Sequence, residues 1–161
     1  MTLDDFVEGL PDDLLYVCDT DLWIRPESDA LWVIGANAFV TKHGKFLIFY
    51  PKPEGHVAER HAPLGAMETW KTAFGIEAPF DCEIIRGNPE VASSVQLAVA
   101  DPYGRGWLFE VRPLDPSESK KSLMTARAYK DWLRDHARSQ FEHLSHRSTV
   151  DELQFDPYRN A

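Results

Sequence analysis

The sequence predicts a mainly β domain, a flattened barrel-sandwich of hairpins closed by a C-terminal α-helix. Three observations predict it. From Leu14 to Arg112, short apolar runs rich in Val, Ile, Phe, Tyr and Trp alternate with turn residues. Past Arg112 the pattern changes to a Pro/Ser/charged connector and then one amphipathic stretch. The 161 residues, 43% of them hydrophobic, supply one real core and are too few for two ordinary domains.

Residues 1–13 are an acidic N-terminal segment, 14–133 the folded domain with the start of its helix, and 134–161 the helix end and a polar extension. The strand runs are 14–17, 22–25, 30–34, 45–50, 63–69, 82–85 and 107–111, and a short descending run follows Lys71 to Pro79. Pro51, Pro53, Gly55, Pro79, Gly87-Asn88-Pro89 and Gly104-Arg105-Gly106 punctuate them. Asn37 to His43 has the makings of one helical turn, stopped by Gly44. Residues 122–144 read as a helix, with Tyr129, Leu133, Ala137 and Phe141 at spacing four and Trp132 beside them. Beyond Ser145 the chain is aperiodic, a tail in which Leu153, Phe155 and Tyr158 leave room for docking.

Charge is uneven. Residues 1–30 carry nine acids against one Arg, 31–133 are balanced, and 134–161 carry five acids and four Arg. With no clustered basic face, nucleic acid is not an expected partner. An acidic edge suits a basic protein surface and equally serves solubility. Cys18 and Cys82 are too few for a disulfide framework and lack metal-type spacing. No apolar run reaches membrane-spanning length, and the acidic start lacks a signal-peptide pattern, so a cytoplasmic setting is expected.

Catalytic sets are missing from the pattern. The chain has no G-x-S-x-G elbow, no H-E-x-x-H and no P-loop, and His136 and His143, seven apart, lack partner ligands. A non-catalytic protein without a metal is the expectation. The informative stretch is Gly65-Ala66-Met67-Glu68-Thr69-Trp70-Lys71-Thr72, a strand running into a turn. Lys71 is the sole Lys between Lys52 and Lys120. A lysine at a protruding tip presents an amine that can form an amide, which arginine cannot replace. By itself, a turn lysine is also an ordinary solvated residue.

The wider string resembles the H protein of the glycine cleavage system and its relatives, small lipoyl carriers of the lipoyl/hammerhead type. The resemblance rests on Leu15-Tyr16 with Leu22-Trp23-Ile24-Arg25; on Gly44 leading the run 45–50; and on Gly65, Glu68 and Lys71, with Pro79, Glu83 and Asn88 beyond. Its most specific part is Asp101-Pro102-Tyr103-Gly104-Arg105-Gly106-Trp107-Leu108, then Asp115-Pro116-Ser117 and Ala128-Tyr129. It implies a covalent lipoate on Lys71, with Gly65 part of the site and Glu68 marking it for the modifying ligase or orienting the turn. The dithiolane of such an arm is a strained cyclic disulfide that exchanges readily, and tethering raises the effective concentration of its cargo at each enzyme visited.

Within that family two branches compete. Asp81-Cys82, His61 where the family has Gly, Val99 where it has Asn, and the extension past 134 depart from an ordinary H protein, while Phe49-Tyr50-Pro51-Lys52 with Gly55 and Pro11-Asp12-Asp13-Leu14-Leu15-Tyr16 resemble the H-like lipoate-binding proteins. Those serve heterodisulfide-reductase-like complexes and sulfurtransferases in sulfur oxidation, and the resemblance leans to them. The alternative is an H protein served by glycine decarboxylase, aminomethyltransferase and dihydrolipoyl dehydrogenase. Either needs a lipoate-protein ligase or another lipoylating enzyme. An unlipoylated adaptor of the same fold is a further alternative. Cys18 and Cys82 are candidates to relay thiols to the arm, or small apolar residues.

Overall fold

A computed structural model describes residues 2–37, 45–70 and 72–136. The turn expected between Asn37 and His43, Lys71 itself, and Ala137, Phe141, His143 and the tail lie outside the described residues.

In chain order the elements are α1 (Leu3–Glu8), β1 (Leu15–Val17), β2 (Leu22–Ser28), β3 (Leu31–Ala36), β4 (Phe46–Pro51), β5 (Val57–Ala58), β6 (Pro63–Thr69) and β7 (Ala73–Glu77). β8 (Cys82–Gly87), α2 (Pro89–Ser93), α3 (Leu97–Ala100), β9 (Phe109–Pro113), α4 (Pro116–Lys120), β10 (Met124–Thr125) and α5 (Ala126–His136) follow. A seven-stranded sheet, β10-β1-β2-β3-β9-β8-β5, faces a three-stranded sheet, β4-β6-β7, and every strand pair is antiparallel.

Alternation decides which side chain enters which core. In β2, Leu22 and Ile24 point between the sheets while Trp23 points away; in β3, Trp32 and Ile34 do the same and Val33 points away. The inner cluster adds Phe46, Phe49, Leu64, Met67, Ile76, Phe80, Ile84, Phe109 and Val111. The outer cluster is sealed by two helices, with Leu3, Phe6 and Val7 of α1 and Tyr129 and Leu133 of α5 packed on Tyr16, Trp23 and Val33. Gly35 stands opposite Trp23, and a methyl there would lie 2.2 Å from the indole, so the missing side chain is what lets the ring lie flat on β3.

The acidic start is therefore a structured element. Thr2 caps α1 through a reciprocal box with Asp5, each side chain meeting the other's backbone N–H at 3.1 Å. α5 starts later than residue 122, because Met124 and Thr125 pair with β1 first and the Thr125 hydroxyl accepts from Ala128 N at 3.2 Å. The most specific string of the resemblance is a brace. Trp23 Nε1 donates to Pro102 O at 3.0 Å, Asp101 Oδ2 accepts from Arg105 N at 2.9 Å, and the Asn88 amide holds Arg105 O and Trp107 O at 2.8 and 2.7 Å. Asp115 likewise caps α4, ahead of Pro116. Among the described residues no helix is long and apolar enough to cross a membrane.

Candidate functional site

β6 and β7 form the hairpin that carries the lysine. β6 ends at Thr69 and β7 starts at Ala73. Two threonines close the connection: Thr69 N donates to Thr72 O at 2.8 Å, and the Thr69 hydroxyl donates to the same carbonyl at 3.2 Å and accepts from Thr72 N at 3.4 Å. Trp70 and Lys71 lie between these anchors, and the Trp70 side chain is half exposed. Sequence reasoning missed the threonines, although hydroxyls that flank a two-residue tip on either side are a legible turn signal.

Glu68 and Gly65 take different places. Glu68 pairs with Ile48 and Ala73 on the outward face of the hairpin, one residue before the threonine that closes the turn. Gly65 sits at the far end of β6 between Pro51 and Ile76. A Cβ there would lie 2.5 Å from the Tyr50 carbonyl and 3.0 Å from the Phe109 ring, so the glycine serves the close approach of β4 and β6.

Beneath the hairpin lies a cleft of ≈ 360 Å³. Met67, Phe74, Gly75, Ile76 and Phe46 line it from the smaller sheet, Leu22 and Ala36 from the larger, and Leu108 from just before β9. Asp19 and Thr20 of the β1–β2 turn and Glu77 at the end of β7 complete the wall. Its ionisable residues are both carboxylates; Glu77 also meets His61 Nδ1 at 3.5 Å.

Next to this wall is a buried polar network. Tyr129 Oη donates to Asp21 Oδ1 at 2.7 Å and accepts from Asn37 Nδ2 at 2.7 Å. Burial pushes the Asp21 carboxyl up to about 6 and raises the Tyr129 hydroxyl above the ordinary phenol range.

The remaining candidates resolve on burial. Cys82 is fully buried in β8, where burial pushes its thiol up to about 12, the setting of a small apolar core residue. Cys18 is half-buried, its thiol raised by burial and by Asp19. Asp81 accepts from Arg60 N at 2.8 Å, and its carbonyl accepts from Leu114 N at 3.0 Å. His61 takes a left-handed φ of 74°, the conformation that favours glycine. Among the described residues no group of three or more His, Cys, Asp or Glu is placed to hold a metal.

Comparison with known proteins follows the same lines. Residues 14–136 match the family described as Glycine cleavage H-protein. The glycine cleavage system H protein of Magnetococcus marinus is 32% identical over 126 residues, 78% of this chain and 88% of that protein. The probable glycine cleavage system H protein 2 of Sulfurisphaera tokodaii is 34% identical over 122 residues, 74% and 82% of the two chains. The crystal structure of a glycine cleavage system H protein from Mycobacterium marinum superposes with a TM-score of 0.66 at 24% identity, over 76% of this chain and 98% of that one, a likeness of fold.

Proposed function

Because the chain belongs to the glycine cleavage H-protein family, non-catalytic carriers with lipoate bound covalently to a lysine, we propose that Lys71 is the attachment point and that the cargo is the aminomethyl group released from glycine. One observation carries the reading: the sole lysine between Lys52 and Lys120 is one of the two residues that join Thr69 to Thr72, in a hairpin that also walls a cleft. When bound, lipoate supplies a dithiol that holds a fragment between enzymes.

The protein's own residues do the rest. The threonines fix the pivot, while Met67, Phe74, Ile76, Leu22 and Leu108 offer apolar contact to an aliphatic arm. Asp19 and Glu77 give the cleft a negative wall, which suits a protonated amine and repels an anionic persulfide. This favours glycine over sulfur, as do the names of the relatives, and it turns the preference drawn from the sequence. Three of the departures behind that preference have packing explanations: Asp81 ties two backbone segments, Cys82 fills the core and His61 occupies a turn. The partners of this reading are a lipoate-protein ligase, glycine decarboxylase, aminomethyltransferase and dihydrolipoyl dehydrogenase.

Intact mass after co-expression with a lipoate ligase tests attachment. Wild type is expected to gain one lipoyl group and Lys71→Arg none; an adduct on the variant overturns the assignment, and no adduct on wild type favours the adaptor. A paired assay tests the cargo. Glycine-dependent CO₂ exchange with a decarboxylase is expected, whereas a sulfur adduct from a persulfidated sulfurtransferase without CO₂ exchange restores the sulfur reading.

A further inference from the structure

Helix α5 does not line the cleft, yet one of its side chains governs a cleft wall. Tyr129 is fully buried, its ring stacked on Tyr16 at 4.7 Å and on Trp132 at 6.3 Å. Its hydroxyl passes beyond those rings to Asp21, which closes the β1–β2 turn at a φ of 53°. The backbone of Asp21 is held at both ends, its N–H by Val17 O and its carbonyl by Asn37 N, each at 3.0 Å. The two residues just before it, Asp19 and Thr20, are the part of this turn that lines the cleft.

We propose that Tyr129 is a positioning residue for the cleft: its hydroxyl fixes Asp21, and Asp21 fixes the turn that presents Asp19 and Thr20. The physical reason is that a left-handed non-glycine residue persists only where its surroundings over-determine it. Asp21 has the Tyr129 hydroxyl as its anchor on α5, with the Asn37 amide and the like-charged Asp19 facing it. Without the hydroxyl, a buried carboxylate loses a donor, and rotation toward water relieves it only if the turn moves. The inference rests on the reading of the cleft as the resting place of the arm, and Cys18, half-buried in the same turn, is a reporter independent of that reading.

The test uses protein expressed without lipoate and measures iodoacetamide labelling of Cys18 by peptide mass. Tyr129→Phe keeps the stacked ring and deletes the hydroxyl, and it is expected to speed labelling several-fold. Asp21→Ala, which cuts the same bond from the turn's side, is expected to match it. Tyr16→Phe is the control: it deletes a hydroxyl that donates to Pro11 O at 2.7 Å in the same seam, with no link to Asp21, and is expected to leave the rate unchanged. Tyr129→Phe labelling at the wild-type rate, or Tyr16→Phe labelling as fast as Tyr129→Phe, overturns the proposal. The second arm alkylates the reduced dithiol of lipoylated protein, which is expected to react faster in Tyr129→Phe. Faster Cys18 labelling with unchanged arm reactivity keeps Tyr129 as the anchor of the turn and overturns the parked arm beneath it.

Discussion

The two faces of the large sheet are built to opposite ends. On the outer face, α1 and α5 cover β1, β2 and β3, and Leu3, Phe6, Val7, Tyr16, Trp23, Tyr129 and Leu133 are all buried. On the inner face, the smaller sheet seals the middle with Phe46, Phe49 and Met67 but leaves the cleft at one end. Its outward side shows Ile48, Tyr50 and Trp70 to solvent, the last two more than half exposed. A handle needs a closed side that keeps its shape and an open side that presents something. The same sheet supplies both, because alternate residues of β2 and β3 serve different cores.

The largest test of this contrast is Tyr129→Ala. It removes a buried ring from between two others, and a loss of about 3–5 kcal/mol by urea unfolding is expected. Trp132, which is only half-buried at the rim of the same stack, should cost less, and an equal loss would show the seam to extend further than its packing implies.

Next comes the pH dependence of Asp21, where the two faces meet. Burial raises its carboxyl from 3.8 to about 6, so from about pH 4 to 6 the folded protein keeps a proton that the unfolded chain has released. Its contribution to stability is complete below about 3.8 and is lost as pH rises through about 6, a difference on the order of 3 kcal/mol. Asp21→Asn should therefore gain on wild type as pH rises from 4 to 7. A constant offset between their urea midpoints would contradict this.

Phe74→Ala addresses the open face. The ring lines the cleft and is only partly buried, so a loss of roughly 1–2 kcal/mol is expected, well below that of Tyr129→Ala. An equal loss would break the contrast. The smallest effect is His61→Gly, expected to stabilise by about 0.5–1 kcal/mol, since it relieves a left-handed φ and gives up only an exposed 3.5 Å pair with Glu77. A loss on substitution would mean that this pair does more than its exposure implies.

Strands are legible because the runs are apolar and β-branched or aromatic and most stop at or near Gly or Pro, and β1 through β4, β6, β8 and β9 follow the runs closely. The helix α1 was hidden by its charge, although Leu3, Phe6, Val7 and Leu10 sit at helical spacing behind a Thr2–Asp5 box. Lys71 stood out as an isolated lysine in a turn. The cleft did not, because its walls come from the β1–β2 turn, β7 and Leu108, which no local pattern connects. The network was further out of reach: Asp21 and Tyr129 are 108 positions apart and meet through one hydroxyl.

One irregularity of β4 bears on chain length. Phe46 pairs with Thr69 and Ile48 with Glu68, so Leu47 is an extra residue in the ladder, and both it and Ile48 turn outward while Phe46 and Phe49 turn in. Removing Leu47 would leave Phe46, Ile48 and Phe49 as a plain in-out-in alternation with every partner unchanged. A deletion inside a strand ordinarily turns all that precedes it inside out. Here the edge strand carries its own slack, and the protein can lose one residue from within a strand as other proteins lose one from a loop.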